Sequence, residues 1–104
     1  MLKNVAQLLQ EHIRAEDKIG RLGGEEFCVC LPQTNLINAC EITERYRQYV
    51  ESIMHHSEGE KFNVTASFGC VQFQAKESAN SIIKRADSLL YKAKSQGRNC
   101  VVCE

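Results

Sequence analysis

The chain has 104 residues, 43% hydrophobic and 25% charged, with 13 acidic and 13 basic side chains in balance. That composition suits one small globular domain and leaves no room for two. Zero net charge provides no global field to gather nucleic acid or anionic lipid, and no apolar run is long enough to span a bilayer.

Val5, Leu8, Leu9 and Ile13 recur at helical spacing and predict a helix over residues 2–13, polar throughout and unlike a secretory leader. Residues 18–22 form a short strand candidate, Gly23-Gly24 signals a hairpin, and residues 26–31 pair back until Pro32 ends them. Residues 28–31 are almost uniformly apolar, so this return strand is expected to be buried. Thr34 or Asn35 can cap the next helix, in which Ala39, Ile42, Tyr46, Tyr49 and Ile53 form one apolar stripe. Glu41, Arg45 and Gln48 fall off that stripe and are expected to face water. Residues 55–61 read as a polar loop. Phe62, Val64, Ala66 and Phe68 then alternate with polar residues, as in a strand covered on one face, and the parity switch beyond Gly69 suggests a bulge. Ser78 or Asn80 begins a last helix with its core stripe at Ile82, Ile83, Ala86, Leu89, Leu90 and Ala93. Gly97 suits the position just past its end, and residues 99–103 read as a final strand. The order is α-β-β-α-β-α-β.

The six cysteines lie mostly within apolar patterns, where a thiol acts as a small hydrophobe. With no leader visible, free thiols in a reducing cytoplasm are expected. Cys100-Val-Val-Cys103 has metal-ligand spacing, but strand alternation points its two thiols to opposite faces.

The run Arg21-Leu22-Gly23-Gly24-Glu25-Glu26-Phe27 carries the chemistry. Glycines let backbone approach a ligand, and carboxylates at the mouth of a tight turn can hold a hard divalent cation. This suggests a phosphate-handling site. The run resembles the signature of the GGDEF family, the diguanylate cyclases, which tolerates Glu at its third position. Val64-Thr65-Ala66-Ser67-Phe68-Gly69 resembles that family's central strand. Lys84-Arg85-Ala86-Asp87, Leu90-Tyr91-Lys92-Ala93-Lys94 and Gly97-Arg98-Asn99 resemble its last helix and following turn.

The resemblance implies an α+β fold, an antiparallel-rich sheet flanked by helices of the nucleotide-cyclase, ferredoxin-like palm type. It implies synthesis of cyclic di-GMP from two GTP, with Mg2+ or Mn2+ as cofactor and two domains meeting as a homodimer. Glu25 and Glu26 match the acidic pair that shares metal coordination and activation of the attacking hydroxyl. Gly23 and Gly24 match the glycines beside the nucleotide, and Lys94 and Arg98 match phosphate contacts. Lys94 and Arg98 also suit a helix C-terminus on dipole grounds alone. Arg14 and Asp17 match the family's Arg-x-x-Asp product-inhibition site, and Arg45 matches a second product-binding arginine in some members. On the residues alone, Arg14 and Asp17 also read as a local surface ion pair of small worth, and Arg45 as a solvated side chain.

The family's first strand, central in its sheet and carrying a metal-holding Asp, has no counterpart in residues 1–104, nor do the groups that read guanine. The chain is therefore expected to be a truncated GGDEF domain, inactive alone and prone to self-association through open strand edges. A non-catalytic module that binds cyclic di-GMP through Arg14 and Asp17 is the alternative. No nucleic-acid or membrane contact is expected from this segment, although a membrane-anchored parent is compatible with it.

Overall fold

The computed structural model describes residues 5–23 and 26–104, with the side chains of Arg21 and Gly23 outside the description. The elements are α1 (Val5–Gln10), β1 (Lys18–Gly23), β2 (Glu26–Cys30), α2 (Leu36–Ser52), β3 (Met54–Ser57), β4 (Glu60–Asn63), β5 (Phe68–Cys70), α3 (Ala79–Ser95) and β6 (Val101–Cys103). The architecture is the expected α+β one. The strands pair two by two: β1 with β2 and β3 with β4 antiparallel, β5 with β6 parallel.

Leu8 and Leu9 anchor α1, and the chain continues in turns closed by His12 and Ile13 N–H groups on the Leu9 carbonyl. Leu9, Tyr46 and Val50 form the buried core. Around them pack Ile19, Phe27 and Val29 of the hairpin, with Val64, Ala66 and Phe68. The expected burial of β2 holds for one face only. Phe27 and Val29 turn inward, while Glu26, Cys28 and Cys30 are exposed. In a two-stranded sheet with the core on one side, alternate residues must face out.

Asn35 caps α2, its Oδ1 accepting from the Asn38 N–H at 2.8 Å. The face that α2 buries runs through Ala39, Thr43, Tyr46 and Val50, rotated from the apolar stripe. Thr43 can turn inward because its hydroxyl donates to the Ala39 carbonyl at 2.6 Å, which removes the cost of burying it.

Residues 55–61, expected as loop, form most of the β3–β4 hairpin. Glu58 and Gly59 take φ of 52° and 83°, the positive pair that a two-residue hairpin turn needs. Asn63 ties the hairpin to the end of α2 through donations to the Glu51 and Ile53 carbonyls, both 2.9 Å. The strand expected over residues 62–68 is divided between β4 and β5. Between them Val64 and Ala66 are half-buried and Thr65 is exposed, so the alternation survives in burial without a ladder.

β5 is covered on both faces. A Cβ on Gly69 would lie 2.4 Å from the Ala86 carbonyl oxygen and 2.6 Å from the Leu90 nitrogen, so α3 rests directly on that backbone. The next residue, Cys70, points to the opposite face and α2. Close helix approach, rather than a bulge, explains Gly69. Ser78 caps α3 by accepting from the Ser81 N–H. Arg85 binds α3 to its surroundings, reaching Glu77 at 2.6 and 2.8 Å, the Gln72 carbonyl at 2.8 Å and the Glu104 carboxylate. Cys40 and Cys103 form a disulfide between α2 and β6, so the expectation of free thiols fails for that pair. Among the described residues, no helix is long and apolar enough to cross a membrane.

Candidate functional site

The β1–β2 ladder runs Lys18 opposite Cys30 through Arg21 opposite Phe27, then shifts so that Gly23 faces Glu26. That shift places a glycine against the first carboxylate of β2 at the open end of the hairpin. Glu26 is exposed and enters no hydrogen bond or ion pair among the described residues. Hard divalent cations take carboxylate oxygens of this kind. Gly24 and Glu25, the remaining expected glycine and carboxylate, lie outside the described residues.

Lys94 and Arg98 sit at the far end of α3, both exposed. Gly97, Arg98 and Asn99 take φ of 107°, 65° and 49°, three consecutive left-handed residues that reverse the chain after the helix. The Arg98 N–H closes the turn on the Ala93 carbonyl at 3.0 Å. Asn99 is the anchor: its N–H donates to Ser67 Oγ at 3.0 Å, its Oδ1 accepts from Arg47 at 3.0 Å, and its amide donates to Glu51. Arg47 is held in turn by Glu44 and Glu51. This pins the turn and leaves the Arg98 side chain facing outward. No hydrogen bond or ion pair among the described residues joins Lys94 or Arg98 to Gly23 or Glu26. Sequence reasoning missed Asn99 as an anchor. The signal was present, because Asn tolerates the left-handed region and follows a glycine at a helix end.

Arg14 and Asp17 lie in the turn between α1 and β1. The Asp17 carboxylate accepts from the Arg14 backbone N–H at 2.9 Å, from Nε at 3.0 and 3.1 Å, and from Nη2 at 2.8 Å. Its side chain has no exposed surface, whereas that of Arg14 is 41% exposed. The Arg14 hydrogen bonds hold the Asp17 carboxyl below its usual range despite burial, and the same pair raises the Arg14 guanidinium. This is not a surface ion pair. Asp17 is a buried clamp that fixes the guanidinium plane, and its oxygens are spent on Arg14 rather than open to a guanine. Arg14 Nη2 also donates to Thr34 Oγ1 at 2.9 Å. A hollow of about 220 Å³ opens here, lined by Arg14, Gln33, Thr34, Asn38, Glu41, Ile42 and Arg45. It is smaller than the roughly 300–1,000 Å³ of pockets that enclose a drug-sized ligand, so it can seat one base or phosphate of a larger molecule. Arg14 and Arg45 thus line one hollow, with Asp17 bonded behind Arg14, and none of Glu26, Lys94 and Arg98 lines it.

A family model described as diguanylate cyclase, GGDEF domain, matches residues 1–100. Diguanylate cyclase A of Treponema denticola is 43% identical over 104 residues, covering 97% of this chain and 28% of that protein. Among solved structures, the diguanylate cyclase SiaD of Pseudomonas aeruginosa, crystallised with its activator SiaC, superposes with a TM-score of 0.90. It is 36% identical, over 97% of this chain and 39% of that one. The GGDEF domain of DgcB from Caulobacter crescentus, solved with c-di-GMP, gives a TM-score of 0.87 at 30% identity, covering 95% of this chain and 60% of that one. The chain spans between 15% and 31% of the length of diguanylate cyclase A and six other curated relatives that it matches. The hairpin with Gly23 opposite Glu26, the turn after α3 and the match over nearly all residues agree: the chain belongs to the GGDEF family of diguanylate cyclase domains.

Proposed function

We propose that these residues are the later part of a diguanylate cyclase domain, which joins two GTP into cyclic di-GMP and releases two pyrophosphates. The observation that carries this reading is Gly23 in register with Glu26 at the open end of β1–β2. It brings backbone without a side chain beside an exposed carboxylate, as a triphosphate with its cation requires. Mg2+ or Mn2+ would neutralise phosphate charge and favour ionisation of the 3′-hydroxyl. Glu26 and Glu25 would hold it. By resemblance to the family, the two carboxylates divide metal binding and proton acceptance between them. Gly23 and Gly24 admit the phosphates, and Lys94 and Arg98 bind them. Each GTP comes from a separate domain, which makes a second copy part of the active assembly.

The test is cyclic di-GMP synthesis by a longer protein that contains this chain, with and without Glu26→Gln. Loss of a carboxylate that accepts a proton or holds the metal lowers turnover by about a hundredfold or more. Turnover within about threefold of wild type would remove Glu26 from the chemistry.

A second reading rests on the hollow at Arg14. The DgcB domain carries c-di-GMP in its solved structure, and a guanidinium fixed by a buried carboxylate is a ready fork for phosphate or guanine oxygens. We propose that Arg14 and Arg45 bind cyclic di-GMP there, with Asp17 as the residue that positions Arg14. Calorimetry with cyclic di-GMP on wild type and Arg14→Ala tests it, and equal heats from both proteins would eliminate the site.

A further inference from the structure

Three sulfurs far apart in sequence converge beneath α2. Cys70 ends β5 and Cys103 ends β6, and the two residues are direct partners in the parallel ladder. Their side chains therefore leave the sheet on the same face. Cys40, in the first turns of α2, meets them from above. The three Sγ atoms lie within 4.8 Å of one another, with Cys70 buried and the other two half-buried. Cys40 and Cys103 are joined as a disulfide and Cys70 is a free thiol. The nucleotide chemistry proposed above uses none of them.

We propose that the reduced form of this cluster is a thiolate site for a soft divalent cation of the zinc class, and that the disulfide is its closed state. Metal–sulfur bonds of about 2.3 Å set thiolates about 3.8 Å apart around one ion, so a triangle of this size needs only modest adjustment. Reduction frees the Cys40 and Cys103 sulfurs to separate while their backbones, 6.4 Å apart at Cα, stay in place. A dithiol supplies the two electrons and two protons and leaves as its own disulfide. Three thiols carried by α2, β5 and β6 then face one another. Cysteines bind such a cation as thiolates, so its uptake releases their protons. Soft sulfur ligands select zinc-class ions over the hard cation of a triphosphate site. The two metal requirements therefore stay separate within one chain. Cys28 and Cys30 lie one residue apart on the exposed face of β2, with no third ligand among the described residues, and serve as the internal control.

The experiment titrates Zn2+ into the full chain, once reduced by a phosphine under nitrogen and once oxidised. Co2+ serves as a spectroscopic substitute, its sulfur charge-transfer band reporting thiolate ligation without any mutation. One Zn2+ per reduced chain, none per oxidised chain, and a strong cobalt–thiolate band are expected. Cys70→Ser is expected to weaken binding by about a hundredfold or more, while the double variant Cys28→Ser, Cys30→Ser keeps it. Three results overturn the proposal: no uptake by reduced wild type, equal uptake by oxidised protein, or loss with Cys28 and Cys30 instead of Cys70. The comparison of oxidised with reduced wild type stands even if a variant fails to fold.

Discussion

At Gly69 a missing side chain decides the packing. Its Cα faces the backbone of α3, where an added Cβ would fall 2.4 Å from the Ala86 carbonyl oxygen. Backbone cannot rotate aside as a flexible side chain can, so α3 would have to lift off β5. Gly69→Ala is expected to destabilise the chain by about 2–3 kcal/mol in chemical denaturation, and a change under about 0.5 kcal/mol would show that the helix yields freely. Asp17 makes a pH-dependent contribution instead. Its folded-state value lies below the ordinary 3.8, chiefly through the Arg14 hydrogen bonds. The stabilisation is therefore complete above 3.8 and disappears as pH falls through the lower folded value. The difference in unfolding free energy between wild type and Asp17→Asn should hold steady near neutrality and shrink below that point. A difference that stays constant down through strong acid would mean the Arg14 pair contributes nothing. Arg-x-x-Asp was readable in the sequence as a motif, but the depth of Asp17 was not, because spacing reports which residues meet and not how much chain closes over them. The cysteine cluster was less readable still. Positions 40, 70 and 103 become neighbours only through the α2 crossing and the β5–β6 register.

Element by element, periodicity proved a sound guide to faces and a weaker one to ladders. Residues 62–66 alternate in burial as their pattern requires, Ser67 is half-buried like its neighbours, and only the two ends of the 62–68 stretch pair with other strands. The β3–β4 hairpin escaped notice because the first of its turn's two positive-φ positions holds Glu58, not a glycine or asparagine. The α2 stripe was displaced by Thr43, whose hydroxyl finds a partner within its own helix. The end of α3 shows the reverse case, in which familiar residues carry more than expected. Asn99 joins the turn to α2 and to Ser67, and thereby sets where Arg98 emerges. Asn99→Ala removes these hydrogen bonds and places a Cβ residue with no polar side chain at φ of 49°. A loss of about 2 kcal/mol is expected. In a longer, active domain the same change should raise the KM for GTP several-fold, because Arg98 is no longer aimed. Asn99→Gly should recover the conformational part of the stability and none of the KM. A variant with unchanged stability and unchanged KM would show the anchor to be incidental.

At the scale of the molecule, the sheet is open. The strands form three separate pairs, and residues 64–67, which connect β4 to β5, have no ladder partner among the described residues. Unpaired strand edges are templates for another chain. Large apolar side chains add to this, with Ile37 and Tyr91 both 73% exposed and Phe73 65% exposed. We therefore expect the 104-residue polypeptide to self-associate by edge pairing or strand exchange, with a mass in light scattering that rises with concentration. We also expect it to make no cyclic di-GMP by itself, on the resemblance-based expectation that the family's sheet is completed by a strand carrying a metal-holding Asp. The two expectations share a cause, so they should fail or succeed together. Adding in trans a peptide that supplies such a strand should lower the association and protect backbone amides of residues 64–68 from hydrogen exchange. A chain that stays monomeric at high concentration, or one that turns over GTP unaided, would mean that the edges are already satisfied and that the active assembly needs nothing beyond these residues.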